Sequence, residues 1–243
     1  MSALGHYIEE EGIATVAISL IRPQSENTKP PRALWVPFEL GRPFGPPSDP
    51  AFQKSVIRAA LRMLEEGGGP VRIEDSPHDD PREQPDPGWR PPLAAAAVAD
   101  GSPAALADAF ETEIARLAEP YDRSVKARGR TTVGLPGLPI AEAGRYVAAW
   151  LRGANPESPV ADMSAPLALR FAIDDVKAYF LEAGLIPGSK PSSRQLGDWF
   201  YNETAAGKVL FALRRVNLDA ADERLKLIAS NFIVPGIRAL AAG

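Results

Sequence analysis

The sequence predicts an α/β fold: a small parallel or mixed sheet with flanking helices, followed by a mainly α-helical C-terminal region. Three observations carry this reading. Two short strand-like runs, Ile13–Ile21, rich in Ile, Val and Thr, and Ala33–Phe38, precede an amphipathic stretch from Pro50 to Glu66. A proline-rich segment, Ser76–Pro92, then interrupts regular structure. Beyond it, helical patterns follow one another to the end of the chain. Strands joined through helices pair in parallel or mixed sheets with the helices packed on them. The predicted units are an α/β core over residues 1–75, a linker over 76–92, and a helical region over 93–243 packed on that core.

Taken in order, Leu4–Glu11 reads as a short helix ended by Gly12, which can take the left-handed conformation at a helix C-terminus. Ile13–Ile21 follows as a buried strand. Arg22–Pro31 is polar, holds three prolines, and reads as a loop. Ala33–Phe38 is a second strand, with Pro37 placing it near an edge or at its end. In the Glu39–Pro50 loop, Asp49 ahead of Pro50 is the expected pairing of N-cap and first helical residue. The helix that follows carries a one-sided stripe of Phe52, Val56, Ala59 or Ala60, Met63 and Leu64, and Gly67–Gly69 stops it. Val71–Ile73 is a third short strand. Further helices are predicted at Pro103–Ala118, Ile140–Arg152 and Ser164 or Pro166 to Ala183. Two more run from Ser192 or Ser193 to about Val216, and from Asp219 or Asp222 to about Ser230. Gly129–Val133 reads as an isolated strand or a loop.

Composition excludes several classes of function. With 243 residues, 45% hydrophobic and 24% charged, the chain is long enough to bury a sizeable core. A formal net charge of −4 gives no electrostatic reason to expect nucleic acid or an anionic membrane as partner. Apolar runs such as Leu93–Ala99 are too short to span a bilayer, and the first 30 residues lack a secretory pattern, so a cytoplasmic location is expected. The absence of cysteine removes thiolate nucleophiles, disulfides, CxxC couples and thiolate metal sites. Histidine occurs only as His6 and His78, and no ExxH pair exists for a di-metal helical bundle. No metal and no cofactor is predicted.

Two places could hold chemistry. In the loop GRPFGPPSDP, Gly41 and Gly45 let backbone approach a ligand closely, Arg42 adds charge, and the next helix aims its N-terminal N–H groups at an anion. The competing reading is a rigid connection with Arg42 solvated or paired; neither dinucleotide nor phosphate-loop spacing is present. In the stretch from Ser192 to Arg215, stepping by three and four gives Leu196, Phe200, Glu203, Gly207 and Leu210. Glu203 then falls within an apolar stripe, as an acid/base or cation anchor, as half of a buried ion pair, or on a stripe that faces solvent. Gly207, one turn on, leaves a gap for a ligand, a water or another backbone. Trp199 and Asn202 flank this position, with packing and rim roles as the plainer reading. In the preceding helix Leu169, Ile173, Val176 and Phe180 form the stripe, which puts Asp175 and Glu182 on a solvated far face. His6 beside Glu9–Glu11, and His78 beside Asp79 and Asp80, read as surface pairs and a solvated turn. Residues 125–130 form a small basic patch, too short for nucleic acid.

The segment from Leu4 to Ile21, followed by PPRALWVPFELGRPFGPPSDPAFQKSVIRAALRML, resembles the selenoprotein B type subunits of glycine, sarcosine, betaine and D-proline reductases. The matching features are the acidic helix ending in Gly-Ile before a strand, and the Gly-Pro-rich loop before an Ala-Leu helix. The likeness covers about a quarter of the chain. It implies a sheet-with-helices core and a small amino-acid-like or amine ligand at the Arg42 loop. Members of that family depend on a selenocysteine or cysteine element, and this chain has neither, so no redox residue carries over. Two expectations follow. One is a redox-inactive relative that binds a small organic ligand or serves as a non-catalytic subunit of a homo- or hetero-oligomer. The other is a non-redox enzyme of lyase or hydrolase type, with Glu203 as acid or base and Arg42 or Arg32 anchoring an anionic substrate.

Overall fold

The first helix, α1 (Ser2–Glu10), forms ahead of Gly12, which follows it at φ 82°. The computed structural model describes residues 2–66, 71–81, 83–95 and 102–236. The chain divides into two units, residues 1–84 and 85–243.

In the first unit, β1 (Ala17–Ser19) uses only the centre of the predicted strand. The segment read as a loop contains a short helix instead, α2 (Arg22–Thr28). Pro23 lies in its first turn, where a missing N–H is no loss, and Arg22 pairs with Glu26 one turn on. Three prolines suggested a loop because their position relative to a helix start was not visible. Next come β2 (Arg32–Trp35), α3 (Pro50–Glu65) and β3 (Arg72–Asp75). Asp49 caps α3 as its sequence position demands, accepting from the Phe52 amide at 3.0 Å. The glycines expected to stop this helix, Gly67–Gly69, lie outside the described residues.

The described strands form one parallel sheet in the order β1-β2-β3, with Ser19 opposite Trp35 and Trp35 opposite Asp75. The expected α/β class, with a small parallel sheet and a helical C-terminal region, is what the structure has. Because side chains alternate along a strand, Ile18 and Leu34 share one face, while Ala17, Ser19, Ala33, Trp35, Ile73 and Asp75 share the other. The first face is covered by α3: Leu34, Val36 and Phe38 pack with Val56, Ala60 and Met63.

The second unit begins inside the segment expected to be a linker. Trp89 is buried, and its indole N–H donates to the Gly184 carbonyl at 2.9 Å. The Asp86 carboxylate accepts from the Gly88 and Lys190 amides, and Gln195 both accepts from the Asp86 amide and donates to its carbonyl. A proline-rich composition hid these two anchors, and the division between the units, after Gln84, falls inside the 76–92 segment.

The helices are α4 (Pro103–Arg116), α5 (Ala118–Arg128), α6 (Ile140–Leu151), α7 (Ala165–Gly184), α8 (Ser193–Asp198), α9 (Ala205–Asn217) and α10 (Glu223–Asn231). Helix α5 stands where the sequence pattern predicts none, and its last turn carries Lys126 and Arg128 of the basic patch. Residues 129–133 are loop. Helix α7 lies at the centre: Leu169, Ala172, Ile173, Val176, Phe180 and Ala183 are buried, and so are Asp175, Tyr179 and Glu182. A helix buried on nearly every side has no far face, which is why the expected solvation of Asp175 and Glu182 fails. No helix among the described residues is long and apolar enough to cross a membrane.

Candidate functional site

The Arg42 loop closes on itself. Gly41 and Gly45 have φ of 88° and 83°, the left-handed region that glycine enters without strain. Arg42 is taken by Glu39, three residues earlier, at 2.9 Å. The start of α3, expected to face an anion, is capped by the chain's own Asp49, and the Gln53 side-chain Nε2 donates to the Pro46 carbonyl at 2.9 Å. A shallow concavity of about 350 Å³ remains over Gly41, Arg42, Pro43 and Gly45. Gly45 has a packing duty instead, since a Cβ there would lie 2.3 Å from the Phe52 ring. Arg32 also has a partner: Glu9 lies 2.6 Å from its guanidinium. Burial pushes the Glu9 carboxyl up, but the Thr15 amide and hydroxyl and Arg32 outweigh it and hold Glu9 below the ordinary glutamate value. Arg32 and Arg42 are therefore neutralised in place.

Glu203 does not lie in the buried stripe: it is exposed, as is Asn202. The predicted continuous helix is broken. Trp199–Glu203 form a single π-helical turn, and Thr204 leaves the helix at φ −91° and ψ 155° to cap α9. Its hydroxyl donates to the Phe200 carbonyl and accepts from the Gly207 amide. One wide turn shifts the angular position of every later residue, so stepping by three and four across it misplaces Glu203. The gap at Gly207 is filled by backbone, because a Cβ there would meet the Phe200 and Tyr201 carbonyl oxygens at 2.3 and 2.6 Å. Trp199 is 1% exposed and donates to the Leu93 carbonyl, a packing residue rather than a ligand wall.

The carboxylate buried at this point of the fold comes from another helix. Glu113 of α4 accepts from the Ala205 and Ala206 amides at 2.9 and 3.1 Å, satisfying the first turn of α9. Burial pushes its carboxyl up, with those two amides only partly offsetting. Sequence pattern offers a faint signal for it: Glu113 lies between Phe110 and Ile114 on the buried side of α4.

A second concavity of the sheet unit lies away from the Arg42 loop, with His6 on its wall. It has a volume of about 690 Å³ and is bounded by α1, β1 and α2. Five consecutive residues, Ala17 to Ile21, line it. Neighbouring residues point to opposite faces, so a cleft touched by all five runs along the free edge of the strand. Its walls are mainly apolar. The polar groups converge on one side: Ser25, which is buried, donates to the Ser19 hydroxyl at 2.5 Å, and the Thr28 hydroxyl donates to the Gln24 carbonyl. His6 closes the α1 side, its Nε2–H donating to the Lys29 carbonyl at 2.8 Å. That contact, and not a surface pair with the acidic residues that follow it, fixes the ring. At the C-terminal end of the sheet Arg22 pairs with Asp75 and stands over the Trp35 ring at 5.6 Å.

The chain matches no protein-family model, no curated protein and no solved structure. The site is therefore read from its chemistry alone. Among the described residues no group of three or more His, Asp or Glu could hold a metal ion. His78, grouped with Asp79 and Asp80 in the sequence, lies with its ring 5.5 Å from that of Phe52, and Asp80 is buried. In the helical unit, the two carboxylates of α7 expected in water hold a loop. Asp175 accepts from the Gly134 and Leu135 amides, and Glu182 accepts from the Thr132 amide and hydroxyl through Oε1.

Proposed function

We propose that the protein is a redox-inactive binding subunit that takes a small organic molecule in the cleft along β1. The observation that carries this reading is the cleft itself. A volume of about 690 Å³ lies in the range of small-molecule sites, and such sites pair apolar walls with a few convergent polar groups. Ala17, Ile18, Leu20 and Leu40 supply the walls, while His6, Ser19, Gln24 and Ser25 supply the polar side. The ligand that suits this lining has an apolar body and one neutral hydrogen-bonding head. The resemblance of residues 4–64 to B-type reductase subunits supports a binding role. The lack of cysteine removes the thiol chemistry of that family. The enzyme reading built on Glu203 loses its premise, which was burial.

Native mass spectrometry of the protein from its own source tests the proposal, together with Gln24→Trp, an exposed position on the cleft rim. The expected result is a co-purifying small molecule that the variant loses while its fold is kept. A ligand retained by the variant would place binding elsewhere.

The sheet unit also exposes large apolar side chains, Leu4, Tyr7, Ile13, Leu40, Phe44 and Leu61 among them. This favours a second reading, in which the unit is covered by a protein partner in a homo- or hetero-oligomer. Sedimentation of the gently purified protein decides it: a larger assembly without a small molecule supports the partner reading.

A further inference from the structure

Independently of the sheet unit, the helical unit holds a second concavity, of about 290 Å³, between the end of α5, the segment after it, α7 and α8. Its floor is apolar, made by Leu181, Leu185 and Leu196, and its charged groups are Arg128, Arg130 and Glu182. Glu182 is 5% exposed, and its Oε1 is fully engaged by Thr132 and, at 3.4 Å, by Arg128. Its Oε2 has no hydrogen-bond partner, and neither does Nη1 of Arg128. Arg130 is exposed and makes no ion pair among the described residues. The groove is thus lined by a carboxylate and a guanidinium that each keep one buried atom without a hydrogen-bond partner, and by the exposed Arg130 guanidinium, beside an aliphatic floor. Two guanidinium groups against one carboxylate leave it with net positive charge.

We infer that this groove binds a small carboxylic acid with a hydrogen-bond donor on the adjacent carbon and an aliphatic side chain, the chemistry shared by α-amino and α-hydroxy acids. The carboxylate of such a molecule accepts from Arg128 and Arg130, the planar donors suited to it. Its ammonium or hydroxyl donates to Glu182 Oε2, and its side chain covers the leucines. A plain carboxylate leaves the buried Glu182 oxygen unpaired and is disfavoured for that reason. The Thr132 contacts hold the backbone that follows Arg130 against α7.

Heteronuclear NMR of the full chain tests this with three probes: L-leucine, 2-hydroxy-4-methylpentanoate and 4-methylpentanoate, which lacks the donor. The first two are expected to shift the amides of Thr132, Glu182 and Leu185, and the third to bind about 10-fold more weakly. Arg130→Ala, at an exposed position, is expected to weaken leucine or hydroxy-acid binding about 10-fold with no change in melting temperature. The proposal is overturned by unshifted groove amides at about 10 mM probe, an affinity well below that of ordinary sites. Equal affinity for the donor-free acid, or full binding by the Arg130 variant, overturns it as well. Shifts confined to Ala17–Ile21 would assign the probes to the β1 cleft and sink this inference while leaving the first reading intact.

Discussion

In the helical unit Phe180 sits among three aromatic rings, with Phe200 at 5.5 Å, Tyr179 at 6.1 Å and Trp199 at 6.3 Å. In the sheet unit the buried interior is a small set, Leu34, Val36, Phe38, Val56, Ala60 and Met63, and both sheet edges are unpaired among the described strands. The helical unit is closed by its own side chains. The sheet unit leaves apolar surface and strand edges for something else to cover. A core that small supplies only about 3–5 kcal/mol, so anything bound along β1 would add a large fraction of that unit's stability.

The contrast can be broken or sharpened by substitution. The largest effect is expected for Gly207→Ala, whose new methyl group has only backbone to displace. It should cost about 3 kcal/mol or more and lower the calorimetric transition of the helical unit; a silent substitution would mean that the π turn is not packed as described. Glu113→Ala should cost about 2–4 kcal/mol, because two buried amides lose their acceptor, whereas Glu203→Ala should stay within about 0.5 kcal/mol. Chemical denaturation of the pair compares them directly. In the sheet unit, Val56→Ala should cost about 1–2 kcal/mol, a modest figure that would nonetheless collapse protection of β1–β3 amides in hydrogen exchange.

Acid should separate the units further. The Glu9 carboxyl is held below its ordinary value in the folded state, so its contribution is present above the unfolded value and is lost as pH falls through the folded one. Glu113 is held above its ordinary value, so its contribution declines as pH rises from the unfolded to the folded value. Lowering the pH below about 4 should thus loosen the Glu9–Arg32–Thr15 corner of the sheet unit while Glu113 becomes no less comfortable, and residue-resolved exchange across that range would show it. The smallest effect is expected for Arg42→Ala. Its partner is a half-exposed glutamate, and the change in stability should be under about 0.5 kcal/mol by denaturant midpoint.

Much of the fold was legible because it depends on local pattern. The Asp49–Pro50 start, the stripe of α3, Gly12 after α1 and the Asp222 cap of α10 are short-range signals, and each stands where the residues indicate. The site was less legible, and for specific reasons. Arg32 and Arg42 were found as charges, but whether a charge is free depends on its neighbours in space, here Glu9 and Glu39. Glu203 was misplaced by one π turn, which no periodicity count can register. Asp175 and Glu182 were assigned to solvent because a stripe was taken to define an outside, while α7 has none. The β1 cleft left little mark because its walls come from α1, β1 and α2, which only the fold brings together. Trp89 was hidden in a segment whose prolines announced a linker.

The clamp of Glu113 on α9 also has a consequence for how the chain comes into being. The acceptor and the amides it serves are separated by 92 and 93 positions. During synthesis α4 emerges long before α9 exists, and until then its carboxylate must remain hydrated. The buried setting of Glu113 therefore cannot form until α9 has been made, a long-range step slower than the local contacts within each helix.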